Sequence, residues 1–252
     1  DTLAAVKKIN AKKLLSLGVV NVVGSSIARE TKAGVYNRAG AEIGVASTKA
    51  FFSQLTILTL MSLYMANSKS SLLKRELIKE LNNISEKIKA VIRQSETVKK
   101  VANKYKSYKN FLYLGRGYNY PTALEGALKI KELSYVHAEG CAGGEMKHGP
   151  LAMIDANFPT VAVVTKNSLY EKMLSNLEEI KARGGKIIAV ATKGDKMISK
   201  IADDVIYVPS TLEQLEPMIN VIPLHLFAYH FGVLQGYDVD KPRNLAKSVT
   251  VE

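Results

Sequence analysis

Cysteine is almost absent from these 252 residues: Cys141 stands alone, so no disulfide can form within the chain, and a reducing compartment such as the cytoplasm is expected. No basic stretch leading into an apolar one follows Asp1-Thr2-Leu3, so no signal peptide is read there. No initiator Met precedes Asp1, and the expectation is that numbering begins inside a longer protein. A uniform apolar run of about 20 residues, the length a membrane span needs, is also missing. Phe51 to Ala66 is short and broken by Ser53, Gln54, Thr56 and Thr59, and Asn220 to Leu234 carries Pro223, His225 and His230. Both read as buried helices, and no membrane partner is expected. Acidic residues are in short supply, 23 against 35 Lys and Arg, which leaves a net charge of +12. The excess is Lys scattered over helical segments, with no zinc-finger spacing and no module of stacking aromatics, so nucleic acid is not an expected partner. A solvated lysine-rich surface would attract phosphorylated metabolites at long range.

What is present is an alternation of helical periodicity with short apolar runs. Thr2 to about Leu17 has helical spacing, with Leu3, Val6, Leu14 and Leu15 as apolar points. Gly18 ends it, and Val19 to Val23 reads as a strand before the turn at Ser25-Ser26. Tyr170 to Arg183 is again helical. Gly184-Gly185, the strand Lys186 to Thr192, a turn, a short helical piece and the strand Asp204 to Val208 follow. The same order occurs twice, a weak internal repeat that predicts two related α/β units with parallel sheets and helices on both faces. Ser47 to about Ser107, between them, predicts a helix packing the units together and then an amphipathic linker helix. The expected fold is α/β, with two flavodoxin-like, three-layer αβα units. Residues 1–72 would form part of the first, incomplete unit, 73–240 the linker helix and second unit, and 241–252 a tail.

The second unit opens with strand Asn110 to Leu114, Gly115-Arg116-Gly117, and a helix from about Tyr120 to Val136. Tyr120 stands where a dinucleotide fingerprint has its third glycine, so the two glycines read as a tight strand-to-helix turn and no cofactor is expected. On that helix Glu125, Lys129 and Glu132 fall within roughly 60° of arc, and apolar residues cover nearly all the rest. A narrow charged stripe on an otherwise apolar helix suits either a surface salt bridge of the i,i+4 type or a buried stripe facing a cavity. Spacing alone leaves both open. The segment His137 to Pro150 is crowded with ionisable groups and glycines, but its histidines lie eleven apart and Cys141 has no partner, so no metal site is read there. His148 alone suits a cap or a surface loop, and His225 and His230 suit satisfied core positions.

Five stretches together resemble the glutamine:fructose-6-phosphate amidotransferases, also called glucosamine-6-phosphate synthases. They are Ala41-Glu-Ile-Gly-Val-Ala-Ser-Thr-Lys-Ala50, Tyr113-Leu-Gly-Arg-Gly117, Ala123-Leu-Glu-Gly-Ala-Leu-Lys-Ile-Lys-Glu132, Glu145-Met-Lys-His-Gly-Pro150 and the closing Lys241-Pro-Arg-Asn-Leu-Ala-Lys-Ser-Val-Thr-Val-Glu252. The resemblance runs in order along the whole chain. It implies the isomerase half, built of two sugar isomerase domains, of an enzyme that makes glucosamine 6-phosphate from fructose 6-phosphate and ammonia released by an N-terminal glutaminase domain. By that resemblance Glu132 is the base that moves a proton between C1 and C2, and His148 opens the sugar ring in the site of the neighbouring subunit of a homodimer. Lys247 lies next to the sugar carbonyl and Lys129 near its hydroxyls, while Val45 and Ala246 line the sugar through their backbones. No metal and no cofactor are implied. The family's phosphate loop, Ser-x-Ser-Gly-x-Thr, would precede Asp1. Val164-Thr-Lys-Asn-Ser168 lacks that pattern, so the second unit is not expected to hold a second phosphate. Cys141 is not the glutaminase nucleophile. Two other readings stay open: a different sugar-phosphate isomerase or deaminase on the same fold, and a non-catalytic sugar-phosphate sensor.

Overall fold

In Asp1–Ser71 the chain runs α1 (Thr2–Ala11), β1 (Leu17–Val20), α2 (Ser26–Glu30), β2 (Ala33–Tyr36) and α3 (Lys49–Met65), as seen in a computed structural model that describes residues 1–66 and 72–247. β1 and β2 pair in parallel, with Leu17 opposite Ala33 and Val20 opposite Tyr36.

Three expectations are corrected in this unit. The first helix does not continue to Leu17. It ends at Ala11, Lys13 takes a left-handed backbone (φ +59°), and the amide of Asn10 ties the turn to the carbonyl of Glu30. Leu14 and Leu15 therefore belong to the connection and are exposed. The strand expected at Val19 to Val23 lies earlier, because Asn37 N–H to the Val20 carbonyl is the last bond across the pair. Beyond it Asn21 turns to bond Ala39 and Gly40. Val22 and Val23 stand exposed. Phe51 to Ala66 is a helix but not a buried one: of α3 only Ala50 is buried, and Tyr64 is 90% exposed. Thr56, Thr59 and Ser62 bond back to carbonyls of their own helix, which leaves its outer surface to apolar groups that a two-stranded sheet is too small to cover.

Leu72–Glu252 is a second compact unit. It contains α4 (Leu72–Ile92), α5 (Ser95–Tyr105), β3 (Asn110–Gly115), α6 (Asn119–Ser134), β4 (His137–Ala142), β5 (Thr160–Val164), α7 (Tyr170–Lys181), β6 (Ile187–Thr192), α8 (Ile198–Ile201), β7 (Asp204–Val208) and α9 (Glu216–Leu234). The five strands are all parallel, in the order β4-β3-β5-β6-β7. β5 and β6 are buried at every residue, as befits central parallel strands that are apolar except for Thr160 and Thr192. Alternation along β3 separates two cores. Leu112 and Leu114 join Leu174, Leu177 and Ile180 of α7, whereas Phe111 meets Phe227 and Phe231 of α9 with ring centroids 6.0 and 5.6 Å apart. α4 and α5 pack against α9. The amphipathic segment expected to link the units is thus a layer of the second one.

α9, continuous with a short helical turn at Glu213–Leu215, is the one stretch among the described residues long and apolar enough to cross a membrane by length and composition, and most of it is buried inside this unit. Its hydrophobicity is accounted for by contact with α4, α5 and α6. The second unit repeats the order of the first, since α7, β6, α8 and β7 correspond to α1, β1, α2 and β2.

Candidate active site

Order in the sheet reverses between β3 and β5, and open α/β sheets bind ligands outside the carboxyl ends of strands at such a point. Here that position is filled by the protein. Gly115 and Gly117 make the turn from β3 into α6. A Cβ on Gly115 would stand 2.1 Å from the Asn119 carbonyl oxygen, and Gly117 has φ +54°. The turn brings Asn119 beside Thr165 at the end of β5, and the Asn119 amide donates to Thr165 Oγ1 (3.1 Å) and Glu216 Oε2 (2.8 Å). Asn167 donates to the same carboxylate oxygen (2.7 Å), and Asn220 donates to Asn119 Oδ1 (2.9 Å). Burial pushes the Glu216 carboxyl up, against the pull of these donors. Sequence reasoning missed this cluster, because its members lie up to 101 residues apart. Arg116 is a tie: it donates to Asn176 Oδ1 and to the Gly143 carbonyl.

α6 carries the charged stripe, and the stripe is largely buried. The Lys129 side chain is only 3% exposed, against 11% for Glu125 and 22% for Glu132. Its ammonium lies 3.6 Å from Glu125 Oε1 and in contact with Glu132 Oε2. Burying an ammonium is costly unless it is paired and hydrogen-bonded, and here two carboxylates serve one cation. His225, which also escaped the sequence reading as a site residue, reaches across from α9 to place Nε2 3.1 Å from Glu125 Oε1. Glu125 is therefore held from both sides, and Glu132 is the most open of the three.

His148 ends a short 3-10 turn, Met146–His148, with its side chain 71% exposed and Nδ1 2.9 Å from Glu145 Oε2. Val45 belongs to the first unit, half-buried in the loop before α3. In that loop Glu42 accepts the backbone N–H groups of Thr48 (2.9 Å) and Ala50 (3.1 Å), a carboxylate cap on the helix start. Ala246 and Lys247 are exposed in the tail, while Ser248 to Glu252, the rest of the closing motif, lie outside the described residues. Cys141 is buried, and burial first, then Glu139 and Glu145, push its thiol up. Among the described residues no group of three His, Cys, Asp or Glu side chains could hold a metal ion.

A parallel α/β sheet covered by helices agrees with the family that the SIS domain defines. SIS domain matches residues 1–64 and 104–234, and the chain belongs to that family. Relatives that align along the whole of this chain are named glutamine–fructose-6-phosphate aminotransferase (isomerizing). The protein of Bacteroides thetaiotaomicron is 53% identical over 100% of this chain and 42% of that relative, and that of Chlorobaculum tepidum 49% identical over 100% and 41%. The chain thus spans less than half the length of these relatives and matches their isomerase part. A solved C-terminal domain of glucosamine-fructose-6-phosphate aminotransferase from Francisella tularensis superposes with TM-score 0.90 at 38% identity, over 96% of this chain and 70% of that one. Tagatose-6-phosphate ketose/aldose isomerase from Escherichia coli shares the fold, with TM-score 0.79 at 17% identity over 99% of this chain and 69% of that one.

Proposed function

We propose that the protein performs the sugar-converting half of glucosamine 6-phosphate synthesis, taking fructose 6-phosphate and ammonia drawn from glutamine by a glutaminase domain of the same parent protein. Ammonia condenses with the C2 carbonyl and water leaves. Glu132 takes the proton from C1 and returns it to C2, so the ketose becomes a 2-amino aldose. Such a transfer needs a base near a carbon acid, an acid to open the ring and a cation near developing negative charge, and it calls for neither metal nor cofactor. In this reading His148 opens the ring in the site of the neighbouring subunit of a homodimer, and Lys247 stands by the carbonyl. Lys129 stands by the hydroxyls, and Val45 and Ala246 line the sugar with backbone. The reading places the enzyme in the cytoplasm, acting on a phosphosugar, with neither nucleic acid nor membrane as a partner.

One observation carries the assignment. Of the two carboxylates gripping Lys129, Glu125 is engaged by His225 and Glu132 is the more open, so Glu132 is the one a substrate can reach. The test is Glu132→Gln in the full-length protein as its gene encodes it. Formation of glucosamine 6-phosphate should fall by roughly 10²–10⁴-fold, while calorimetry still detects fructose 6-phosphate. Near-normal turnover would remove Glu132 as the base. Binding without any turnover in the wild type would favour a sensor, and a different product another isomerase or a deaminase.

A further inference from the structure

α6 ends on Tyr135, whose backbone has φ +58°, the left-handed region that glycine usually occupies after a helix. A side chain in that region is strained. What holds Tyr135 there is a set of contacts with the segment that leaves α9. The N–H of Arg243 donates to the Tyr135 hydroxyl at 2.8 Å. The Arg243 guanidinium lies 4.2 Å above the same ring, and the ring of Tyr237 meets it at 4.8 Å and 66°. The tail is itself folded at this point. Asp238 Oδ1 accepts the N–H groups of Asp240 (2.9 Å) and Lys241 (3.0 Å), Pro242 is buried, and Leu245 N–H bonds the Pro242 carbonyl at 3.2 Å. The segment from Tyr237 to Leu245 is thus a turn seated on Tyr135, three residues beyond Glu132.

We propose that Tyr135 is a positioning residue, a clasp that fixes the start of the tail against the end of the helix bearing Lys129 and Glu132, and so sets where Lys247 stands. This rests on the reading of Lys247 as a group beside the sugar carbonyl. Tyr135 touches no substrate in this role; it acts through Arg243 and the tail.

The experiment compares wild type, Tyr135→Gly, Tyr135→Phe and Arg243→Leu in the full-length protein. Glycine relieves the left-handed strain while removing the clasp, so the two effects oppose each other and the melting temperature of Tyr135→Gly should stay close to that of wild type. Trypsin cleavage after Lys247, followed by intact mass, should be faster by about tenfold or more in Tyr135→Gly and Arg243→Leu. Their kcat for glucosamine 6-phosphate should fall by about tenfold or more, with KM for fructose 6-phosphate within about threefold of wild type, as expected of a misplaced reacting group. Tyr135→Phe keeps the ring and should fall between. Unchanged trypsin rates, or unchanged kcat in both clasp variants, would overturn the proposal. If Tyr135→Gly melts lower than wild type, Arg243→Leu, which leaves the helix end intact, decides by the same readouts. A wild-type protein that forms no glucosamine 6-phosphate would defeat the functional reading, and the trypsin comparison would still judge the clasp.

Discussion

Three per cent of the Lys129 side chain reaches solvent, and the charge it carries is balanced by Glu125 and Glu132 within one turn of helix. Replacing Lys129 by Met would leave two carboxylates facing each other without their cation. The expected cost is about 3 kcal/mol, the low end for removing one partner of a buried pair, because Glu132 is partly open to water. Urea unfolding of Lys129→Met against wild type measures it, and an unchanged midpoint would show that the lysine is not paired in solution. Helical periodicity alone puts the three residues of this stripe on one face of α6. Periodicity does not say whether that face is wet or buried, because burial is decided by α9, about a hundred residues away. His225 and Glu216 were illegible for the same reason: each is defined by a partner on another element, and neither has a local pattern to betray it.

Among elements, the clearest legibility belongs to the second unit. β6 is apolar up to Thr192 and bounded by turn residues, so its limits, Ile187–Thr192, fall close to those the sequence suggests. β1, α1 and α3 of the first unit were misjudged, because their ends are set by side chains such as Asn10 and Asn21 bonding distant backbone, and apolar composition alone does not bury a helix. The joint between α7, β6 and β7 offers a pH test. Burial pushes the Asp203 carboxyl up, but the Ile187 N–H at 2.9 Å, the Lys181 ammonium at 3.0 Å and Lys186 at 3.6 Å together hold it below its ordinary value. A lowered folded-state pKa contributes stability that is present above the unfolded value, about 3.9, and is lost as pH falls through the folded one. Asp203→Asn should therefore destabilise the unit at pH 7 by about 1–3 kcal/mol, and the gap should narrow below about pH 4. Thermal melts at the two pH values check this; an equal gap at both would mean that the charge contributes nothing.

For the whole molecule, the proposal that His148 serves a neighbouring subunit has its own consequence. An exposed imidazole that pairs with Glu145 at the tip of a 3-10 turn suits a group presented outward. Full-length proteins carrying Glu132→Gln and His148→Ala, each inactive, should regain part of their activity when mixed and allowed to exchange subunits, since one of the two sites in a heterodimer would be intact. Absence of rescue after exchange has been demonstrated by mass would mean that each site is built from a single chain. The repeated order of helix and strand was legible in the sequence, because both copies carry a helix, a glycine and an apolar run in that order. The second copy lacks the Ser/Thr pattern in its sequence, whereas the buried cluster around Glu216 at its switch point needed the fold, because its members lie up to 101 residues apart.

Cys141 lies in β4 with its thiol buried and its ionisation disfavoured. Thiolate is the reactive form, so this sulfur is a poor target for alkylating reagents at neutral pH. Within these 252 residues the background of thiol labelling is therefore close to silent. A single cysteine introduced at an exposed tail position such as Leu245, which is 44% exposed, would be the one readily labelled sulfur of this region. A fluorophore or spin label placed there would report on the surroundings of the tail without first removing Cys141.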